Sequence, residues 1–380
     1  MTPRSRTRLY RSSGEVKLHS EKGPRRILNC IAKNRLHTLT KMADMWDDLE
    51  SIANAPCSFT AAPGERGTIK AKANFNVSED VAALRKALQG LGTNENTVIE
   101  ILTHRSSTQK QDICRAYQEE TKKMLVNDLK SDTSGNFENV LVALVTPPAV
   151  YNAKTLINAI NGAGTDNSIL IELLSSLTNK QIKDLSAAVT VETKKTLTQN
   201  LKSEVSGDYG KAILILAEGA RNESTSVNAD QAREDAKALY YAGEKKMGTD
   251  ESKFIEILCK RSIPQLRQTI VEYKNISGKT LQQSIEKEIS GNLEDLLVAI
   301  VKCVQNTPAY FAEKLHESMK GAGTDEKTLS RVMVSRAEID MLDIRAEYKK
   351  LYKHSLHEAI NSDVSGNFGE CMKMICGGED

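Results

Sequence analysis

A Gly-x-Gly-Thr element recurs at Gly90–Thr93, Gly162–Thr165 and Gly321–Thr324, and a form one residue longer runs from Gly243 to Met247-Gly248-Thr249. Forty residues after the last glycine of each stands an acid: Asp132, Glu204, Glu288 and Asp363. Three residues further on is a glycine preceded by serine, at Gly135, Gly207, Gly291 and Gly366. With 50 acids in 380 residues, four acids at one fixed offset arise by chance on the order of once in three thousand trials. The chain therefore holds four copies of one unit of about 70 residues. They are expected over 77–146, 149–217, 230–302 and 307–377, behind an N-terminal tail of residues 1–65.

Within a copy the apolar period is helical. After Thr93 the residues Val98, Ile99, Ile101 and Leu102 share a face, and after Thr165 so do Ile169, Leu170, Leu173 and Leu174. The threonine is expected to cap that helix, with acids in its first turn opposing the dipole. Ser78 is expected to cap the preceding helix, and Gly135 to close a later one in the left-handed conformation. The last helix of a copy, as at Val140–Val145, Ala212–Ala217 and Leu296–Val301, is strongly apolar and reads as central. About five helices per copy follow, and no segment sustains two-residue alternation. The fold class is all-α.

Composition agrees. Aromatics are 4% and there are 8 prolines, a poor mix for a sandwich or barrel. No apolar run approaches the roughly 18 residues of a membrane span, so a soluble chain is expected. The seven cysteines are scattered without a CxxC pair, which points to buried reduced thiols in the cytoplasm and away from zinc. The formal charge of +2 conceals a split, because residues 1–41 carry eleven basic side chains and two acids. The remaining body is acidic, so no nucleic-acid partner is expected for it.

A glycine-rich turn between helices exposes carbonyls, since glycine accepts the backbone angles that turn them outward. Three such oxygens and one bidentate carboxylate fall short of the six to eight that Ca²⁺ prefers. Water or an external phosphate can fill the rest. One carboxylate leaves the bound ion net positive, so the site should be weak alone and should tighten when an anion completes it. Four Ca²⁺ ions would also reverse the sign of the acidic body before an anionic leaflet. Leu91 and Met247, at the loop tips, can reach a headgroup layer or pack on their own repeats.

Four Gly-x-Gly-Thr loops, each with an acid forty residues on, resemble the type II calcium sites of the annexin family. Arg66-Gly67-Thr68, Val334-Ser335-Arg336-Ala337-Glu338-Ile339-Asp340 and Ile375-Cys376-Gly377-Gly378 resemble the ends and fourth repeat of its core, so the resemblance spans about 66–380. It implies a curved disc with all four loops on the convex face. It also implies Ca²⁺ ligands: carbonyls of Leu88, Gly90 and Gly92 with Asp132; of Ile160, Gly162 and Gly164 with Glu204; of Gly243, Lys246 and Gly248 with Glu288; and of Met319, Gly321 and Gly323 with Asp363. Lys320 keeps a lysine common in the family between the first ligand and the glycine, whereas Gln89 and Asn161 replace it. Arg105, Arg261 and Arg336 end the second helix in three repeats, but repeat 2 has Leu177, so its internal polar network must differ.

For residues 1–41 three readings stand: a disordered tail, a mitochondrial-type presequence, and a basic membrane or nucleic-acid arm. Met42 resembles a conventional start, which would place residues 1–41 in an alternative form. Beyond it, Met45, Trp46, Leu49 and Ile52 share one face of an amphipathic helix over 44–53. In several annexins such a helix docks into a calcium-binding partner of the S100 type, and packing on the chain's own core is the other reading.

Enzyme readings find little. Gly243–Thr249 follows a helical pattern where a phosphate loop needs a strand. His354, His357 and Glu358 lack zincin spacing, and no G-x-S-x-G or EF-hand loop occurs. A phosphodiesterase-like activity has no base. The chain is expected to be a non-enzymatic protein that binds anionic phospholipid membranes through Ca²⁺, moving from cytosol to membrane as calcium rises. The resemblance adds membrane or vesicle organisation and phospholipase A2 inhibition. A calcium-indifferent helical-repeat scaffold is the alternative.

Overall fold

This computed structural model describes residues 65–89, 92–162, 164–245, 248–321 and 323–378. The basic segment, the tail helix expected over 44–53, and the loop residues Gly90, Leu91, Lys246 and Met247 lie outside them.

The described residues form nineteen α-helices and no strand. The first repeat contributes α1 (Val77–Leu88), α2 (Glu95–Thr103), α3 (Ser107–Thr121), α4 (Leu125–Asp132) and α5 (Gly135–Val145). The second contributes α6 (Pro148–Ile160), α7 (Asn167–Ser176), α8 (Asn179–Thr193), α9 (Leu197–Lys202) and α10 (Gly207–Ala217). In the third are α11 (Ala229–Ala242), α12 (Glu251–Lys260), α13 (Ile263–Ser277) and α14 (Leu281–Glu288). Helix α15 (Asn292–Ser318) ends the third repeat and begins the fourth, which continues with α16 (Glu326–Arg336), α17 (Met341–Tyr352), α18 (Leu356–Asp363) and α19 (Gly366–Cys376). Asn306, at φ −157° and ψ 93°, breaks α15 in two. Its side chain accepts from the N–H of Ala309, and Pro308 sits where a new helix needs no donor. Each repeat thus has five helical segments.

Several helix starts differ from the sequence expectation. Asn76 caps α1, accepting from the N–H groups of Ser78 and Glu79. Asn94, Asp166 and Asp325 cap the second helices, one residue beyond the expected threonines. Asn and Asp compete strongly for this position, and the threonine hydroxyls are engaged elsewhere. Gly135 does adopt φ +64°, but as the first residue of α5 and not as a helix stop.

The central helices bury their apolar runs as expected: Val140, Leu141, Ala212, Ile213, Leu296, Leu297 and Val301 are fully buried. Buried ion pairs pin the repeats internally. Arg105 holds Asp80 through Nε and Nη2 at 2.6 and 2.7 Å, and Arg261 holds Asp235 at 2.7 and 2.9 Å. Between repeats, Arg331 holds Glu172 at 2.8 Å through two N–H groups. The segment ahead of the first repeat is tied to the last one. Thr68 Oγ1 donates to the carbonyl of Ile375 at 2.6 Å, and Arg66 pairs with Asp343. Gly67 is obligatory here, because a Cβ would lie 2.7 Å from the carbonyl oxygen of Ala337.

Candidate metal centres

Each loop leaves the end of a repeat's first helix and turns back to start the second. The turn is closed by one backbone bond: Asn94 N–H to Ala87 O, Asp166 to Ala159, Asp250 to Ala242 and Asp325 to Ser318, all at 2.8–3.0 Å. The second glycine of every motif has positive φ: 98° at Gly92, 104° at Gly164, 89° at Gly248 and 112° at Gly323. No substituent meets an obstacle there, so backbone angle alone demands glycine. The extra residue of the third loop is absorbed inside the same closure.

The threonine that follows ties the loop to the distant acid. Thr165 Oγ1 donates to Glu204 Oε2 at 3.2 Å, and Thr324 Oγ1 to Asp363 Oδ2 at 2.5 Å. Thr93 and Thr249 donate to the backbone carbonyls of Asp132 and Glu288, at 3.0 and 2.9 Å. The structure therefore brings together, in all four repeats, the loop and the acid forty residues on. These hydroxyls were not among the expected site residues, although the invariant Thr at the end of each motif was the available signal.

The electrostatics favour a cation. Asp132, Glu288 and Asp363 are the last residues of α4, α14 and α18, and Glu204 lies two residues past α9. A helix C-terminus carries partial negative charge, so a carboxylate there is unfavourable without a counter-charge. The loop begins at a second such end, where Leu88, Ile160 and Met319 present terminal carbonyls. Among the described hydrogen bonds, none ends on the carbonyls of Leu88, Ile160, Met319, Gly92, Gly164, Gly248, Gly321 or Gly323. The carbonyl of Gly162 does accept, from Gly164 N–H at 2.9 Å. Among the described residues no three or more His, Cys, Asp or Glu side chains gather into a metal-holding group. The donor set is backbone oxygen with one carboxylate, hard ligands suited to Ca²⁺.

The third centre differs from the others. Glu244, inside its longer loop, accepts from Lys279 Nζ at 2.9 Å with both oxygens, and these contacts hold its carboxyl below its ordinary pKa. Lys287 Nζ donates to Glu288 Oε1 at 2.6 Å, so a protein cation already sits on the expected metal carboxylate. Gly243 is beside that acid, its Cβ position 3.7 Å from Glu288 Cγ. The four acids also meet in pairs across repeats. Asp132 and Asp363 line one cleft of about 560 Å³ with Glu95 and Glu326, and Glu204 and Glu288 line another of about 410 Å³ with Glu251.

Annexin family models match four segments, 79–144, 151–216, 234–300 and 310–375. The chain belongs to the annexin family. Human annexin A3 is 53% identical over 317 residues, covering 83% of this chain and 98% of that one. Human annexin A4 is 47% identical over 314 residues, with the same coverage. Among solved structures, annexin III aligns with a TM-score of 0.82 at 52% identity, over 84% of this chain and all of the other. A calcium-bound annexin, (Sm)1, aligns at 0.75 and 33% identity, over 86% and 97%. The annexin III-like character suggested by the segment Met42-Ala-Asp-Met-Trp46 agrees with these likenesses, although that segment lies outside the described residues. Membership makes this annexin a calcium-binding protein and, in general terms, one that binds phospholipid in a calcium-dependent manner. The matching family is not one of enzymes. Among the described residues no helix is long and apolar enough to cross a membrane.

Proposed function

We propose that the four loops are calcium bridges to anionic phospholipid headgroups. The observation that carries this reading is the convergence of two helix C-termini and one carboxylate, repeated four times with the same closing bonds. On this reading the ions are held by carbonyls of Leu88, Gly90, Gly92, Ile160, Gly162, Gly164, Gly243, Lys246, Gly248, Met319, Gly321 and Gly323, with Asp132, Glu204, Glu288 and Asp363. Calcium supplies a hard positive centre whose remaining positions a lipid phosphate can take. The protein's part is to hold the oxygens and aim them outward. The acidic body keeps the protein off an anionic leaflet until calcium reverses its charge, so relocation from cytosol follows the calcium signal. The four loops on one convex face of a disc, membrane organisation and phospholipase A2 inhibition by covering the substrate belong to the same proposal. Docking of an S100-type partner on Met45, Trp46, Leu49 and Ile52 is a separate proposal that the described residues do not address.

The test is co-sedimentation with phosphatidylserine-containing vesicles, in calcium and in chelator. The wild type should sediment only in calcium, and a variant with Asp132, Glu204, Glu288 and Asp363 all changed to Ala should stay in solution. Sedimentation of that variant, or sedimentation in chelator, would favour the calcium-indifferent scaffold.

A further inference from the structure

Away from the loops, a cleft of about 630 Å³ lies beneath the linker that joins repeats 2 and 3. That volume is in the range of small-molecule sites. Its apolar wall includes Leu174, Ile182, Ile215, Leu216, Ile263 and Val271, and its charged lining includes Arg221.

Arg221 differs from the carboxylate-paired arginines of the core. Arg105, Arg261, Arg331 and Arg336 each hold a carboxylate through two N–H groups. Arg221 donates from Nη1 to the carbonyls of Leu258 and Arg261, at 2.8 and 2.9 Å, and among the described residues no carboxylate pairs with it. Those carbonyls close the C-terminus of α12, whose dipole offsets about half a charge. The rest is uncompensated. Nε and Nη2 make no described hydrogen bond and are not among the buried unpaired polar atoms, and Arg221 lines the cleft. Burial lowers the Arg221 pKa from its ordinary value, as expected for a cation that has lost water without gaining a counter-ion. Nη1 is held by those two carbonyls, and the backbone at Arg221 is fixed as well. Asn179 Nδ2 donates to the Arg221 carbonyl at 2.7 Å, and the Arg221 N–H donates back to Asn179 Oδ1 at 3.1 Å.

A positioned guanidinium edge beside a long apolar wall recognises an anion with a hydrocarbon chain. We propose that this cleft binds a single-chain anionic amphiphile, with its head on Nε and Nη2 of Arg221 and its chain along the apolar wall. Arg267 and Lys180 also line the cleft, with Lys180 paired to Asp184 at 2.8 Å, against one lining acid, Glu223. The site is separate from the calcium centres, and its occupancy does not depend on them.

Isothermal titration of the full chain in chelator, below the ligands' micellar concentrations, tests this with oleate, oleoyl lysophosphatidate and oleyl alcohol. Saturable one-to-one binding of at least one anion is expected. Oleyl alcohol and the Arg221→Gln variant should each weaken binding by about 10- to 100-fold, the value of a charge-assisted pair. Which anion binds tighter shows whether the natural head is a carboxylate or a phosphate. Equal affinity for alcohol and anions, an unaffected Arg221→Gln variant, or no saturable binding would each overturn the proposal. Thr225→Trp, a change at an exposed lining residue, guards against misfolding of the arginine variant. If the folded Trp variant still bound oleate at full affinity, the cleft would not be the site.

Discussion

In repeat 1 the buried Arg105 guanidinium holds Asp80, whereas at the corresponding places of repeat 2 stand Leu177 and Asn152. The correspondence follows the buried helix face, where Val81 and Leu84 match Ala153 and Leu156. Both partners have changed together, and Leu177 and Asn152 now line a shared cavity of about 170 Å³. Repeat 4 takes a third route. Phe311 replaces the acid, Arg336 lies over its ring at 4.5 Å, and Asp340 supplies the carboxylate from four residues on. The loop closure is nevertheless the same in all four repeats. The geometry proposed to bind a cation is therefore set by the local loop and its acid, and the internal charge pair can be exchanged beneath it.

The largest expected effect comes from breaking the pair in repeat 1. Arg105→Leu alone leaves Asp80 buried and unpaired, and should cost about 3–5 kcal/mol. The double change Arg105→Leu with Asp80→Asn copies repeat 2 and should recover more than half of that loss. Urea unfolding of both variants measures the coupling. If the double variant is as unstable as the single one, the two repeats differ by more than this pair.

A second contrast is aromatic and titratable. Where repeats 1, 2 and 3 place Thr121, Thr193 and Ser277, repeat 4 has Tyr352, whose ring stacks on His316 at 3.8 Å. Burial, then the charges of Lys320 and His354, pulls the His316 pKa down to about 4. The unfolded chain takes up a proton below about pH 6.5 that the folded chain refuses until about 4, so stability falls as pH drops across that window. His316 keeps partial exposure, and solvent screening reduces the expected loss to about 1–2 kcal/mol. His316→Gln should flatten the decline, which thermal melts between pH 7 and 4 will register. An unchanged slope would place the acid sensitivity elsewhere.

The repetition made the fold legible before any coordinates, because four copies of one period leave little choice of architecture. The meeting of each loop with its distant acid was legible for the same reason. The threonines were misread because N-cap preference is a local rule, while Thr93 and its three counterparts answer to residues 39 positions away. Asn94 and the aspartates then serve as the caps. Gly135 was misread because a positive φ suits a helix entry here as well as an exit. The Lys287 contact on Glu288 could not be foreseen, since adjacent residues at a helix end need not face one another.

Those threonines offer a finer comparison among the sites. In repeats 2 and 4 the hydroxyl bonds the carboxylate that is proposed to bind calcium, and in repeats 1 and 3 it bonds the backbone beside it. Thr324→Val should free Asp363 to turn away, and should raise the calcium needed for half-maximal vesicle binding by several-fold, within the roughly 0.5–1.5 kcal/mol of one hydrogen bond. Thr93→Val should shift it less, because Asp132 keeps its side-chain freedom in either case. Equal shifts would mean that the hydroxyls stabilise the loop and do not aim the acid.

The smallest effect is expected where repeat 3 departs from the rest. Lys287 shares the carboxylate of Glu288 at 2.6 Å and lies 3.7 Å from Glu244, and its side chain is more than half exposed. On the proposed reading, calcium at this site displaces the ammonium, which holds its place more weakly as salt rises. Lys287→Ala removes the competitor without touching a proposed ligand, so calcium affinity should increase modestly at low salt and converge with the wild type at high salt. Calcium titrations at two ionic strengths, on a background with the other three acids changed to Ala, isolate this site. Weaker binding in Lys287→Ala would instead mean that the lysine holds Glu288 in the orientation the ion requires.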